Sequence, residues 1–226
     1  ARAQHGGPHE PSMVIDPAAY VWQDAGWQGR AWSETVIMEI HVGTFSEAGT
    51  FDGVRMALGR LADLGITAIE LMPIASFVGE RNWGYDGVLP FAPDTSYGEP
   101  ASLKALIDEA HRHGIQVFLD VVYNHFGPDG NYLHLSAPQF YRSDLKTPWG
   151  SALDFRQETV RSFFVHNALY WLTEYRFDGL RLDAVHAISE DSRKLFLQEL
   201  SYAVKARFAE RRQVHLILEN EENDPD

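Results

Sequence analysis

The chain has 226 residues, of which 45% are hydrophobic and 23% are charged, a composition typical of a globular protein with one or two domains. Its formal net charge of −13 argues against nucleic acid or an anionic membrane as a partner, because both require a basic surface. Cysteine is absent, which excludes disulfides, thiolate zinc sites and thiol catalysis. With no long apolar run and a polar N-terminus, we expect a soluble, cytoplasmic protein.

Strand and helix patterns alternate along most of the chain. Residues 1–34 show no sustained period and are interpreted as a linker or the tail of an earlier module. Beyond them, apolar β-branched runs predict five strands, at 36–42, 66–72, 115–122, 179–182 and 214–218. Helical spacing of apolar residues predicts helices over 52–64, from about 101 to 113, over 160–172 and over 190–211. Two long loops follow the second and third strands.

This alternation predicts a parallel sheet, closed as a barrel or left open. The first strand leads into Gly43-Thr44, without the glycine-rich phosphate turn of an open doubly wound sheet. The longest loops follow strands, where barrels carry their chemistry, and this favours an α/β fold of the (β/α)8 TIM-barrel type. Residues 35–226 hold only five predicted strands, so we expect a partial catalytic barrel that is truncated after strand five.

The fourth predicted strand ends in a charged pair. Strand alternation places Arg181 and Asp183 on the same face, which points inward in a barrel. A guanidinium keeps a neighbouring carboxylate ionised, as a nucleophile or an electrostatic stabiliser requires. A purely structural ion pair is the alternative, and for an isolated pair it is the commoner case.

The fifth predicted strand delivers Glu219 at its end. Apolar surroundings would raise the pKa of this carboxyl and fit it for general acid catalysis. Alternatively, Glu219 is a solvated residue at the start of an acidic tail. Together with Asp183 on the neighbouring strand it forms the carboxylate pair of glycoside hydrolysis, since retaining enzymes hold two carboxylates about 5 Å apart.

Two further loops carry polar and aromatic candidates. The third strand ends in Asn124 and His125, and His125 could bind a substrate hydroxyl or simply cap a turn. The loop from Asn82 contains Tyr85, whose ring could pack on a sugar or form a small hydrophobic plug. No other histidines have metal-ligand spacing, so we expect no metal site.

These motifs together resemble the α-amylase superfamily, glycoside hydrolase family 13. The similar segments, in the family's order, are GITAIELMP at 65–73, DVVYNH at 120–125, GLRLDAVH at 179–186 and LILEN at 216–220. The resemblance implies a retaining mechanism without a cofactor. It makes Asp183 the nucleophile, Glu219 the acid and base, and Arg181 the group that orients Asp183. It also implies substrate contacts from Tyr85, Asp86, His125 and His186.

Within the family, several segments resemble the members that release trehalose from maltooligosyl trehalose by cleaving the adjacent α-1,4 bond. They include EIHVGTFSEAGTFDG at 39–53, WGYDGVLPFAP at 83–93 and TPWGSALDF at 147–155. Glycogen branching or debranching enzymes are the alternative within the family, and a non-catalytic glucan-binding barrel is the alternative outside catalysis. The family's later His-Asp motif lies beyond residue 226, so we expect the isolated chain to be nearly inactive.

Overall fold

A computed structural model describes residues 1–24 and 26–221; the last residues of the predicted barrel range, 222–226, lie outside the described part. Within it the strands are, in chain order, β1 (Ile37–Ile40), β2 (Ala68–Leu71), β3 (Ala75–Ser76), β4 (Leu89–Pro93), β5 (Gln116–Val121), β6 (Tyr141–Thr147), β7 (Gly150–Leu153), β8 (Gly179–Leu182) and β9 (His215–Leu218). The α-helices are α1 (Val42–Phe45), α2 (Phe51–Arg55), α3 (Leu58–Asp63), α4 (Pro100–Arg112), α5 (Leu133–Ser136), α6 (Glu158–Glu174) and α7 (Glu190–Phe208).

The five strands predicted from the sequence form one parallel sheet in the order β1-β2-β5-β8-β9. Each neighbouring pair is joined through helices, as in the βαβ units of a barrel. The sheet order is therefore that of the first five strands of a (β/α)8 barrel, which confirms the predicted fold class. All five carboxyl ends lie at one edge, where the loops of such barrels carry their chemistry.

The helices cover the sheet and bury a continuous apolar core. Leu103 and Leu106 of α4, Phe164 and Trp171 of α6, and Phe196 of α7 are almost fully buried there. At the start of β8, an ideal Cβ on Gly179 would lie 2.6 Å from the backbone oxygen of His215, so only glycine allows this strand approach. No helix of the described residues is long and apolar enough to cross a membrane.

The structure differs from the predicted elements in three places, one helix and two loops. The predicted helix over 52–64 is two short helices, α2 and α3, because Ala57 bonds back three residues to Val54 and tightens the turn between them. The two predicted loops contain antiparallel hairpins, β3–β4 and β6–β7. Thr147-Pro148-Trp149-Gly150 makes the second hairpin's turn, with Gly150 at a φ of +121° that suits glycine.

Candidate active site

Arg181 is the centre of a cluster of carboxylates at the carboxyl edge of the sheet. It pairs in register with Asp120 on β5, and its Nη1 lies 2.5 Å from Asp120 Oδ2. The same nitrogen lies 3.6 Å from Asp183 Oδ1, just past the end of β8. Its Nε lies 4.0 Å from Glu70 Oε1 on β2. The structure therefore places Arg181 and Asp183 on the same inner face, in the geometry that strand alternation predicts.

Glu219 joins this cluster from the end of β9. Its Oε2 lies 3.3 Å from Arg181 Nη2, so one guanidinium is within 3.6 Å of both Asp183 and Glu219. The two carboxylates therefore converge at one rim. The apolar surroundings that the sequence suggested for Glu219 are not found among the described residues: its side chain is 41% exposed and faces polar groups. Alternation places Ile217 on the face of Glu219 but directs Leu216 and Leu218 to the other face.

A strained turn after Asp183 orients Glu219. Ala184 adopts the left-handed conformation, with φ +42° and ψ +54°. Its backbone N–H donates to Glu219 Oε2 at 2.6 Å, and the N–H of Val185 donates to the backbone oxygen of Glu219 at 3.0 Å. A non-glycine residue in this region costs on the order of 1 kcal/mol and usually persists where the geometry serves a purpose. Here it aims an amide at a carboxylate of the site.

Asn124, which follows the third predicted strand, is a site residue whose role the sequence left open. Its Nδ2 donates to the backbone oxygen of Asp183 at 2.8 Å and to Asp183 Oδ2 at 3.1 Å. Asp183 therefore has an amide donor on one side and a guanidinium on the other. The signal was available in the sequence, because Asn124 follows a buried strand that neighbours β8.

Tyr85 and Asp86 reach the rim on the loop between β3 and β4. The Tyr85 hydroxyl donates to Asp120 Oδ2 at 3.0 Å, and burial raises the pKa of this phenol, so it remains a donor. Trp83 packs edge-on against the Tyr85 ring, with centroids 5.4 Å apart. Asp86 accepts a hydrogen bond from Asn82 at 3.2 Å. Tyr85 is thus tied to the same cluster, whereas Asp86 is tied to its own loop.

His125 and His186 lie on the loops after β5 and β8. The ring of His125 is buried; its Nε2 lies 2.8 Å from the backbone oxygen of Tyr85, and its Nδ1 contacts Asn124 Oδ1. Burial lowers the pKa of His125. Both ring nitrogens therefore already face protein oxygens. His186 is less buried, and its Nε2 lies 3.4 Å from Glu221.

Below the rim, the inner face of the sheet is unusually acidic. Carboxylate oxygens of Glu39, Glu70 and Asp120 lie within 4.8 Å of one another, close enough to share a cation. Arg181 is already beside two of them, 4.0 Å from Glu70 and 2.5 Å from Asp120. Burial raises the pKa of Glu70, and it raises that of Asp120 to about 7 although Arg181 and Tyr85 act in the opposite direction.

A groove of about 570 Å³ runs from His125 along the β6–β7 hairpin. Trp149, in the turn of that hairpin, stacks on the His125 ring with centroids 4.0 Å apart and is itself 43% exposed. Arg142 and Lys146 line the same groove. An exposed aromatic face with polar side chains around it suits a sugar ring. The sequence interpretation did not single out Trp149, because the hairpin that presents it had been taken for a loop.

The chain matches the alpha-amylase catalytic domain over residues 28–149. It belongs to the alpha-amylase family. Over its whole length this family member is 44% identical to the malto-oligosyltrehalose trehalohydrolase of Deinococcus radiodurans, and the match covers 37% of that protein. Over 79% of its length it is 36% identical to the 1,4-alpha-glucan branching enzyme of Pseudoalteromonas atlantica, covering 27% of that enzyme.

A solved structure shows the same arrangement. A Salmonella typhimurium crystal structure described as an alpha amylase superimposes with a TM-score of 0.91 and 46% identity, over 97% of this chain and 38% of that one. This alpha-amylase family chain thus spans somewhat more than a third of the length of the relatives it matches.

Proposed function

We propose that the full-length protein is a retaining α-glucan hydrolase that releases trehalose from maltooligosyl trehalose by cleaving the α-1,4 bond next to the trehalose unit. The observation that carries the proposal is the single Arg181 guanidinium within 3.6 Å of both Asp183 and Glu219. Retaining hydrolysis needs two carboxylates on one rim, one as nucleophile and one as acid. The 44% identity to a malto-oligosyltrehalose trehalohydrolase, which extends over all of this chain and 37% of that protein, supports the choice of substrate.

The two carboxylates divide the reaction between them. Asp183 attacks the anomeric carbon of the glucosyl residue next to trehalose, while Glu219 gives its proton to the departing O4 of trehalose. The carbon–oxygen bond breaks as the ester to Asp183 forms. Glu219, now ionised, then removes a proton from water, which attacks the same carbon and frees Asp183. The second step yields a maltooligosaccharide and returns both carboxyl groups to their starting states.

The remaining candidates are proposed to hold the substrate. Tyr85 stacks under the sugar ring whose glycosidic bond is cleaved. His186 lines the neighbouring site, which holds the departing sugar, and Asp86 contacts the sugar at the edge of the loop. His125 binds a hydroxyl of the cleaved sugar, which requires exchanging one of its present contacts with Tyr85 or Asn124. We also propose that residues 35–226 form the barrel part of the protein and residues 1–34 a segment that leads into it.

The decisive experiment incubates the full-length protein with maltooligosyl trehalose and follows free trehalose. Asp183→Asn and Glu219→Gln should each reduce kcat by roughly 10³-fold or more, because each removes a group that acts in the bond-breaking step. Asp144→Asn, an exposed carboxylate in the β6–β7 hairpin, is the matched control and should retain full activity. No trehalose from a folded wild-type protein would refute the proposal.

The product separates this function from its alternatives. A branching enzyme would produce new α-1,6 branches, and a debranching hydrolase would release linear glucan. A non-catalytic glucan-binding barrel would bind the oligosaccharide without changing it. The branching activity ranks second, because the identity to a branching enzyme is lower and extends over less of the chain.

A further inference from the structure

At the opposite edge of the sheet, a histidine is buried between two carboxylates. His111 lies near the end of α4, and its side chain is only 1% exposed. Its Nδ1 is 2.8 Å from Asp24 Oδ2 and its Nε2 is 2.8 Å from Asp178 Oδ2. An ionised carboxylate only accepts hydrogen bonds, so both contacts are bonds only when the imidazole carries both protons. The geometry is that of a buried imidazolium.

Two arginines complete the charges around this histidine. Arg176 pairs with Asp24, and Arg212 Nη1 lies 3.3 Å from Asp178 Oδ1. Burial alone would lower the pKa of His111, but the charge of Asp178 and the hydrogen bonds to both carboxylates raise it above its ordinary value. Burial alone would raise the pKa of Asp24, but its bonds with His111 and Arg176 lower it. Each of the two carboxylates is therefore paired with His111 and with one arginine.

Asp24 belongs to the N-terminal part of the chain, here called the docking segment (residues 16–24 and 26–30), and two tryptophans of this segment add further contacts. Trp27 stacks on the His111 ring, with centroids 4.7 Å apart and planes at 14°, and its Nε1 donates to Asp178 Oδ1 at 2.7 Å. Arg176 also lies 4.4 Å over the ring of Trp22. Arg176 follows the C-cap of α6 in a left-handed backbone conformation, φ +59°, which is common at the end of a helix, and lies three residues before β8.

We propose that His111 is a proton-dependent clasp that docks residues 16–24 and 26–30 against the underside of the barrel and fixes the start of β8. Asp178 also accepts the backbone N–H of Val117 at 2.9 Å, so the clasp joins the starts of β5 and β8. Those two strands carry Asp120, Arg181 and Asp183 at their other ends. When the imidazole loses a proton, one of its nitrogens faces a buried carboxylate without a hydrogen to donate, and the docking segment is released.

The sign of the pH dependence follows from the geometry. A histidine that is more basic in the docked state stabilises docking fully below its ordinary pKa of about 6.5. That stabilisation disappears as the pH rises through the higher value of the docked state. The charged groups around the clasp are Asp24, Asp178, Arg176 and Arg212, and burial lowers the pKa of Arg212. His111 is the group whose two ring protons both contacts require.

The test is hydrogen–deuterium exchange of the docking segment in the full-length protein from pH 6 to pH 10, corrected for the intrinsic pH dependence of amide exchange. Wild type should lose protection by about tenfold or more across this range, which corresponds to about 1.4 kcal/mol. His111→Gln should show weak protection that no longer depends on pH. His113→Gln is the matched control: His113 caps the C-terminus of the same helix, is 36% exposed and contacts Glu109. It should behave as wild type.

A second measurement keeps the proposal testable if the His111→Gln protein does not fold. Nitrogen-15 spectra of histidine-labelled wild type should show both ring nitrogens of His111 protonated at pH 7. A bare ring nitrogen at that pH would overturn the proposal. So would a protection profile without pH dependence in wild type, or one that is equally steep in His111→Gln. These readouts do not involve sugar hydrolysis, so they are independent of the proposed function.

Discussion

The two edges of the sheet differ in the ratio of carboxylates to cationic side chains. At the carboxyl edge, among the described residues, a single guanidinium contacts four carboxylates: Glu70, Asp120, Asp183 and Glu219 around Arg181. At the amino edge, two carboxylates are matched by three cationic side chains: Asp24 and Asp178 with His111, Arg176 and Arg212. The first group is partly open to solvent, and both carboxylates of the second are almost fully buried.

The two groups differ in how completely their carboxylates are paired. A buried charge costs several kcal/mol unless it is paired, and the group at the amino edge pairs each of its carboxylates. The group at the carboxyl edge has more carboxylates than cations, and one buried oxygen, Asp120 Oδ1, has no hydrogen-bond partner among the described residues. Unbalanced, partly desolvated carboxylates are typical of catalytic sites. The following changes test this contrast.

Arg181→Met should have the largest effect, on activity. It removes the guanidinium that, among the described residues, pairs with both Asp183 and Glu219, so kcat for trehalose release should fall by about 100-fold or more. Arg181→Lys should recover part of the stability but little of the activity, because an ammonium cannot span several carboxylates as a guanidinium does. Steady-state kinetics of the full-length variants measure this. An Arg181→Met protein with more than a tenth of wild-type kcat would contradict the role of Arg181.

Asp178→Ala should be the most destabilising change at the amino edge. It leaves His111 and Arg212 buried without their shared partner and removes acceptors from Trp27 and the β5 backbone, so we expect a loss of about 3–5 kcal/mol. Chemical denaturation of the full-length protein gives the free energy of unfolding. Asp144→Ala, a 56% exposed carboxylate paired with Arg142, is the comparison and should cost far less, because solvent screens an exposed ion pair. Equal losses would remove the distinction between the edges.

Asp120→Asn should reveal the charge excess at the carboxyl edge through pH. Because the pKa of Asp120 is raised to about 7, the wild type gains stability from this group at low pH and loses it as the pH rises from about 4 through 7. The variant has no proton to lose there. Its stability relative to wild type should therefore increase with pH across this range, as measured by denaturation at several pH values. A relative stability that decreases with pH would show the opposite sign.

Ala184→Gly should have the smallest effect. Glycine relieves the strain of the left-handed conformation and keeps the N–H that donates to Glu219, so the free energy of unfolding should rise by up to about 1 kcal/mol. The more flexible turn should reduce kcat by less than about tenfold. Thermal unfolding and kinetics of the same preparation check both. A clear loss of stability would mean that Ala184 is not strained in the protein.

Much of the fold followed from patterns that act locally. All five sheet strands lie within the predicted runs, because apolar β-branched runs between helical stretches indicate buried parallel strands. The hairpins β3–β4 and β6–β7 were missed, since their pairing is between short segments with mixed burial and irregular register. The missed hairpins also concealed Trp149 and the groove beside His125.

By itself the sequence determined the strands, their order and the edge at which Arg181, Asp183 and Glu219 emerge, because alternation along a strand and the direction of a parallel sheet are local properties. Only the tertiary structure decided the environment of those groups. Three features depend on which segments pack together: the exposure of Glu219, the hydrogen bond from the Asn124 side-chain amide to Asp183, and the burial of His111 between carboxylates 67 and 87 positions away. The pairing and the solvent exposure of a charged group depend on contacts between residues that are distant in sequence, and no local pattern encodes them.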